Sequence, residues 1–108
     1  MIEQSNNSAS LVGRWSRVST EDDVDPNEAV TMVFTSDGKL VYIINNRDGK
    51  HIMNLVYQVA GDTLITDQPS APRKEYTKFC FESGNTLILE YGGAKTWFRR
   101  EKCQTKRV

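Results

Sequence analysis

The chain has very little that suits redox, metal or nucleophilic chemistry. Its 108 residues hold two cysteines, Cys80 and Cys103, and one histidine, His51. Two cysteines cannot build the disulfide framework that supports many small secreted domains. No cysteine–histidine spacing matches a zinc site. Long apolar runs are missing, so no segment reaches the roughly 20 residues of a membrane-spanning helix. An excess of one charge is missing as well: 14 acidic residues balance 14 basic ones. That balance argues against a general nucleic-acid surface, which needs a basic face to displace counterions. Residues 1–10 show no basic segment followed by an apolar one, so no signal peptide is visible and a cytoplasmic chain is expected. A chain trimmed of its leader reads the same way.

The charges that are present are unevenly spread. Glu21, Asp22, Asp23, Asp25 and Glu28 make one acidic segment, and Arg99, Arg100, Lys102, Lys106 and Arg107 make the C-terminus basic. Both read as solvated surface, with pairing to a charged partner as the functional alternative. Residues 1–10 are polar and rich in Ser and Asn and read as a flexible lead-in. Residues 102–108 read as a basic tail, which leaves 11–101 as one folded domain.

Within that span, short runs of β-branched and aromatic residues recur, broken by Gly, Asp, Asn and Pro. They predict strands over 11–18, 29–35, 39–45, 51–59, 63–66, 73–82, 86–91 and 95–100. Breaks such as Ser36-Asp37-Gly38 and Ala60-Gly61-Asp62 are hairpin-like. With connections this short, neighbouring strands are antiparallel, and eight of them close most naturally into an up-and-down barrel. The one long connection, 19–28, carries the acidic segment.

Period-2 alternation predicts the inner face. It places Val30, Met32 and Phe34 together, then Leu40, Tyr42 and Ile44, then Met53, Leu55, Tyr57 and Val59. Phe79 and Phe81 continue the set, with Thr77 and Glu75 further back, and Leu87, Leu89, Tyr91, Thr96, Phe98 and Arg100 complete it. A one-residue bulge would invert a strand.

Gly13-Arg14-Trp15 on the first run and Arg99-Arg100 on the last set a large ring against a guanidinium across the closing seam. Together with the strand count and the long first loop, this pattern resembles the lipocalin-like, or calycin, superfamily. Phe34-x-x-Asp37-Gly38, followed by Tyr57-x-Val59-x-Gly61-Asp62-x-Leu64, is similar to small bacterial lipocalin-like domains. The resemblance implies that Trp15 plugs one end of the barrel, beside Gly13, and that Arg100 packs across it, with Arg99 as the alternative if the register shifts. The chain is shorter than a full lipocalin and lacks a C-terminal helix pattern.

An eight-stranded barrel is just wide enough to be filled by side chains or to hold one small ligand. The bulky interior leaves both open. A cavity is expected at the end opposite Trp15, under the 19–28 loop. Arg17, Tyr42, Tyr57 and Tyr91 are the polar-tipped residues expected to line it. A tyrosine there offers an apolar face and one hydroxyl, which suits an amphipathic ligand.

Other candidate chemistry is thin. Asp23-Val24-Asp25-Pro26-Asn27 begins like a calcium loop, but Glu28 stands where glycine is needed and Phe34 where the closing glutamate belongs. His51 lacks a nucleophile or an orienting acid and reads as a hairpin residue. The superfamily's haem barrels keep a minor haem reading for it open. Cys80 alternates with Phe79 and Phe81 and should point outward. Trp97 should face outward too, as part of an apolar docking patch or covered by the lead-in.

The sequence therefore reads as a non-catalytic, lipocalin-like barrel for a small apolar or amphipathic ligand, with no cofactor, metal or nucleic acid and no membrane span. The alternative is a filled-barrel structural or interaction module acting through a homodimer or a protein partner at the Trp97 surface.

Overall fold

A computed structural model describes residues 11–21, 27–70 and 72–101. The lead-in 1–10, the tail 102–108 with Cys103, and most of the acidic segment lie outside these residues. Eight strands follow in order: β1 Gly13–Thr20, β2 Ala29–Phe34, β3 Lys39–Asn46, β4 Gly49–Ala60, β5 Thr63–Asp67, β6 Glu75–Ser83, β7 Thr86–Tyr91 and β8 Ala94–Arg100. Each pairs antiparallel with its neighbour in sequence, and β1 pairs with β8, so the sheet is a closed meander barrel. Closure removes the two open edges that a flat eight-stranded sheet would expose.

The connections are short because each strand ends at a residue that favours a turn. Gly38 sits at φ +89° in the β2–β3 turn, a conformation that glycine adopts without steric cost. Beside it the Thr35 hydroxyl donates to the Asp37 carboxylate and accepts the Lys39 N–H at 3.0 Å. In the β3–β4 turn, Asn46 Oδ1 accepts the Asp48 N–H at 2.9 Å.

The expected strands are present with small shifts at their ends. β1 starts at Gly13, two residues later than the apolar pattern implies. Leu11 is instead fully buried, and its carbonyl accepts the Trp15 indole N–H at 2.8 Å. A side chain and a carbonyl both used inside the plug leave Leu11 no place in the strand ladder. β4 is longer than expected, running from Gly49 to Ala60.

The inner face follows the alternation. Trp15, Val30, Met32, Phe34, Leu40 and Tyr57 are buried, as are Leu11, Leu64, Phe79, Leu87 and Phe98. Among the described residues no polar or charged residue is fully buried. Two bulges break the period. The first lies between Arg17 and Ser19 on β1 and the second between Phe81 and Ser83 on β6. The first one leaves Val18 52% exposed, so that Trp15 and Arg17 share the inner face with Thr20 rather than with Ser19.

The barrel is plugged at one end by aromatic rings. Trp15 lies opposite both Met32 on β2 and Arg100 on β8. The Arg100 guanidinium stacks on the indole with its carbon 4.3 Å from the ring centroid. Its Nη1 donates to the Val12 carbonyl at 2.9 Å and its Nε to the Gly84 carbonyl at 3.3 Å. Phe81 lies 6.0 Å from Trp15, and Phe79 packs edge-on against Phe81 at 5.9 Å. Arg100 is thus the packing arginine, whereas Arg99, opposite Ser16, is exposed on the outer face. Gly13 adopts φ +134°, and a Cβ built on it would stand 2.9 Å from Arg100 Nη1.

Two substitutions test this plug. Arg100→Lys keeps the charge but loses the planar stack and the fork of donors; it should destabilise the barrel by about 1–3 kcal/mol. Gly13→Ala should cost about 1–3 kcal/mol through backbone strain and displacement of Arg100. Thermal unfolding followed by circular dichroism should show losses of about 4–8 °C per kcal/mol for a domain of this size. An unchanged melting temperature in both variants would contradict the role given to the plug.

Candidate functional site: the open end of the barrel

Strand direction puts the Trp15 plug at one end and the starts of β2, β4, β6 and β8 at the other. There the inner face changes character. Its floor is apolar, with Met32, Leu40, Leu55, Leu64 and Leu89, and above the floor lie Tyr42, Met53, Thr66, Thr77 and Tyr91. Together with the rim they enclose a cavity of about 360 Å³. This is at the lower end of the range for small-molecule sites, roughly 300–1,000 Å³.

The rim comes from the β5–β6 link. Asp67, Gln68, Arg73 and Glu75 all border the cavity. The link is pinned because Asp67 Oδ1 accepts the Arg73 backbone N–H at 2.7 Å. Glu75 stands opposite Thr66 at the head of β6, on the same face as Thr77 and Phe79. Arg73 Nε lies 3.7 Å from Glu75 Oε2, with the arginine side chain 80% exposed and the glutamate 41% exposed. An ion pair this solvated is worth roughly 0–1 kcal/mol.

On the other side of the mouth, Arg17 donates through Nη2 to the Glu28 carbonyl oxygen at 2.9 Å and lies 3.4 Å from the Glu28 carboxylate. Burial pushes the Tyr42 hydroxyl above its usual pKa; the nearby Arg17 pulls the other way and Glu28 reinforces the rise. Tyr42 therefore stays protonated through the neutral range and offers one hydrogen to donate and one oxygen to accept.

The four residues expected from the sequence separate. Tyr42 and Tyr91 lie on the cavity wall. Arg17 is placed at the same end, on the inner face, but it is occupied by Glu28 and does not border the cavity. Tyr57 is a correction. It lies near the closed end of β4, buried and edge-on to Phe34 at 5.0 Å. Its hydroxyl donates to the Thr35 carbonyl at 2.7 Å. The physical reason is strand direction: β4 enters at the open end, so its ninth residue has already reached the plugged end. Alternation identified the face correctly but carried no information about depth.

Glu75, Thr77 and Thr66 are the wall residues that the sequence reading did not select as a site. Alternation back from Phe79 already pointed to Thr77 and Glu75. What the pattern lacked was the register that brings Thr66 beside them.

The remaining candidates contribute little. His51 is exposed on β4, opposite Ile44. Cys80 is exposed on the outer wall. Trp97 is half-buried on the outer face, opposite Ile88 and Ser19. The calcium-like stretch from Asp23 to Pro26 lies outside the described residues. Among the described residues, no cluster of three His, Cys, Asp or Glu side chains can hold a metal ion, and no helix is long and apolar enough to cross a membrane. A wider groove of about 730 Å³ at the plugged end runs past Val12, Asp37, Gly38, Tyr57 and Gln58 and is open to solvent.

A closed eight-stranded meander with a tryptophan plug at one end and an apolar cup at the other is a lipocalin-like barrel. Solved structures share the barrel fold. A lipocalin-like protein from Bacteroides uniformis superposes with a TM-score of 0.68 at 22% identity, over 85% of this chain and 99% of that one. An uncharacterized protein from Bacteroides eggerthii superposes with a TM-score of 0.61 at 15% identity, over 84% of this chain and 99% of that one. At these identities the likeness concerns the fold. No protein-family model and no curated protein matches the chain.

The raised pKa values give a prediction in alkali. Burial also raises Tyr57, with the negative charge of Asp37 adding to the effect. In the unfolded chain both hydroxyls ionise near pH 10, whereas in the barrel they hold their protons longer. Their stabilising contribution is therefore complete below pH 10 and lost as pH rises through the folded values. Denaturant midpoints should fall as pH rises above about 10, and the fall should shrink in the Tyr42→Phe, Tyr57→Phe double variant. A double variant with the same alkaline loss would refute this assignment.

Proposed function

We propose that this barrel is a non-catalytic binding protein that takes one small apolar or amphipathic molecule into its open end. The observation that carries this reading is the cavity of about 360 Å³ with an apolar floor and hydroxyl-bearing walls. Apolar lining with a few converging polar groups is the usual composition of a small-molecule site. The same cavity weighs against a filled scaffold docking through Trp97. Fold alone supports many functions, so the argument rests on the cup. It speaks for binding rather than catalysis, because among the described residues the wall holds no nucleophile–base pair and its charge pair, Arg73 with Glu75, is solvated.

The test is thermal unfolding and calorimetry with 1-octanol, a neutral amphiphile. Binding should raise the melting temperature as ligand exceeds its dissociation constant. Leu89→Trp, which puts a large ring into the cavity, should abolish binding while keeping the β-sheet circular dichroism. No shift with the native protein, together with a self-associated species in size-exclusion chromatography, would support the interaction module instead.

A further inference from the structure

The volume and the charge at the mouth constrain the ligand further. At ~30 Å³ per water, 360 Å³ corresponds to about a dozen non-hydrogen atoms. The cup thus suits a short amphiphile and is too small for a long lipid. Its apolar floor takes the tail, which leaves the head group between the β5–β6 link and the upper wall.

The head group meets an uneven set of partners. Asp67 and Glu75 can only accept hydrogen bonds, and Thr66, Thr77 and Tyr42 can donate or accept. Among the described residues, Arg73 is the one cation bordering the cavity. Its side chain is 80% exposed, with Nε 3.7 Å from the Glu75 carboxylate. It therefore partly neutralises Glu75, and its own charge is largely solvated and already shared with that carboxylate. The Arg17 charge is balanced by Glu28, which it contacts twice. Two carboxylates, Asp67 and Glu75, against one arginine, Arg73, give the described cavity border a net charge of −1. The apolar wall below it strengthens any charge interaction relative to water.

We infer that the cup selects short amphiphiles with a cationic amine head over the matching alcohol, and the alcohol over the matching carboxylate, with Glu75 as the residue that reads the head group. This rests on the binding reading above and specifies its ligand class. An ammonium group at the mouth gains a partner in Glu75 and further acceptors in Thr66 and Thr77. A carboxylate at the same place faces Glu75 and Asp67, and the arginine that could meet it is solvated and already beside Glu75.

Isothermal titration at neutral pH with 1-octylamine, 1-octanol and octanoate separates the possibilities. The expected order is the amine tighter than the alcohol by about fivefold, the scale of one partly exposed ion pair, and octanoate weakest. Glu75→Gln should bring the amine down to the level of the alcohol measured on the same variant. Arg73→Gln, which frees Glu75, should widen the amine preference. Added salt should narrow it. Three ligands binding equally, or octanoate binding tightest, would overturn the head-group assignment and leave the binding reading standing. Binding by none of the three would overturn both. An amine preference that survives Glu75→Gln would overturn the role of Glu75.

Discussion

The stack of Arg100 on Trp15 is the contact on which the rest of the barrel depends. It spans the seam where the last strand meets the first, so it exists only when the sheet has closed. One guanidinium contributes three things there. It covers the indole face, it satisfies the carbonyls of Val12 and Gly84, and it needs the space left by the missing side chain of Gly13. Lysine cannot reproduce this set, because its ammonium has neither the planar face nor the fixed fork. The plug also divides the molecule. Rings from Phe34, Tyr57, Phe79 and Phe81 fill the end around Trp15, whereas at the other end the rings of Tyr42 and Tyr91 stand on the wall of an opening. The cup is the consequence of where the aromatic residues are concentrated.

That division separates the groups that hold the closed end from those that face the opening. Closed-end polar groups are committed to holding the fold, as the Tyr57 hydroxyl is to the Thr35 carbonyl. At the open end the Arg73–Glu75 pair is longer and more exposed. Partly exposed groups can exchange water for a ligand at small cost, whereas buried committed ones cannot. The two tyrosines that were grouped together by sequence, Tyr42 and Tyr57, illustrate the point. They have the same side chain, both face inward, and both have raised hydroxyl pKa values caused chiefly by burial. One lines the cup and the other braces the plug.

Much of the fold was legible in the residues. The eight strands, their antiparallel order and the inner faces follow from period-2 alternation and from glycine-containing breaks, since each is a local property of a few neighbouring residues. The choice of Arg100 over Arg99 follows from the same alternation. What was not legible was anything that depends on two strands together. The bulge at Val18, the withdrawal of Leu11 from β1 and the meeting of Thr66 with Glu75 are all set by cross-strand register. Register is a pairwise quantity, and one strand's pattern contains only half of it.

By itself, then, the sequence determined an all-β meander, the residues that face inward, and the ring and guanidinium able to shut one end. These are encoded in spacing along the chain. Only the tertiary structure decided how deep each inward residue sits, and therefore which ones line an opening and which ones fill it. Depth in a barrel depends on strand direction and stagger summed around the whole closed sheet. For that reason Tyr57 lies among the plug rings and Glu75 stands at the mouth, although alternation alone treats them as equals.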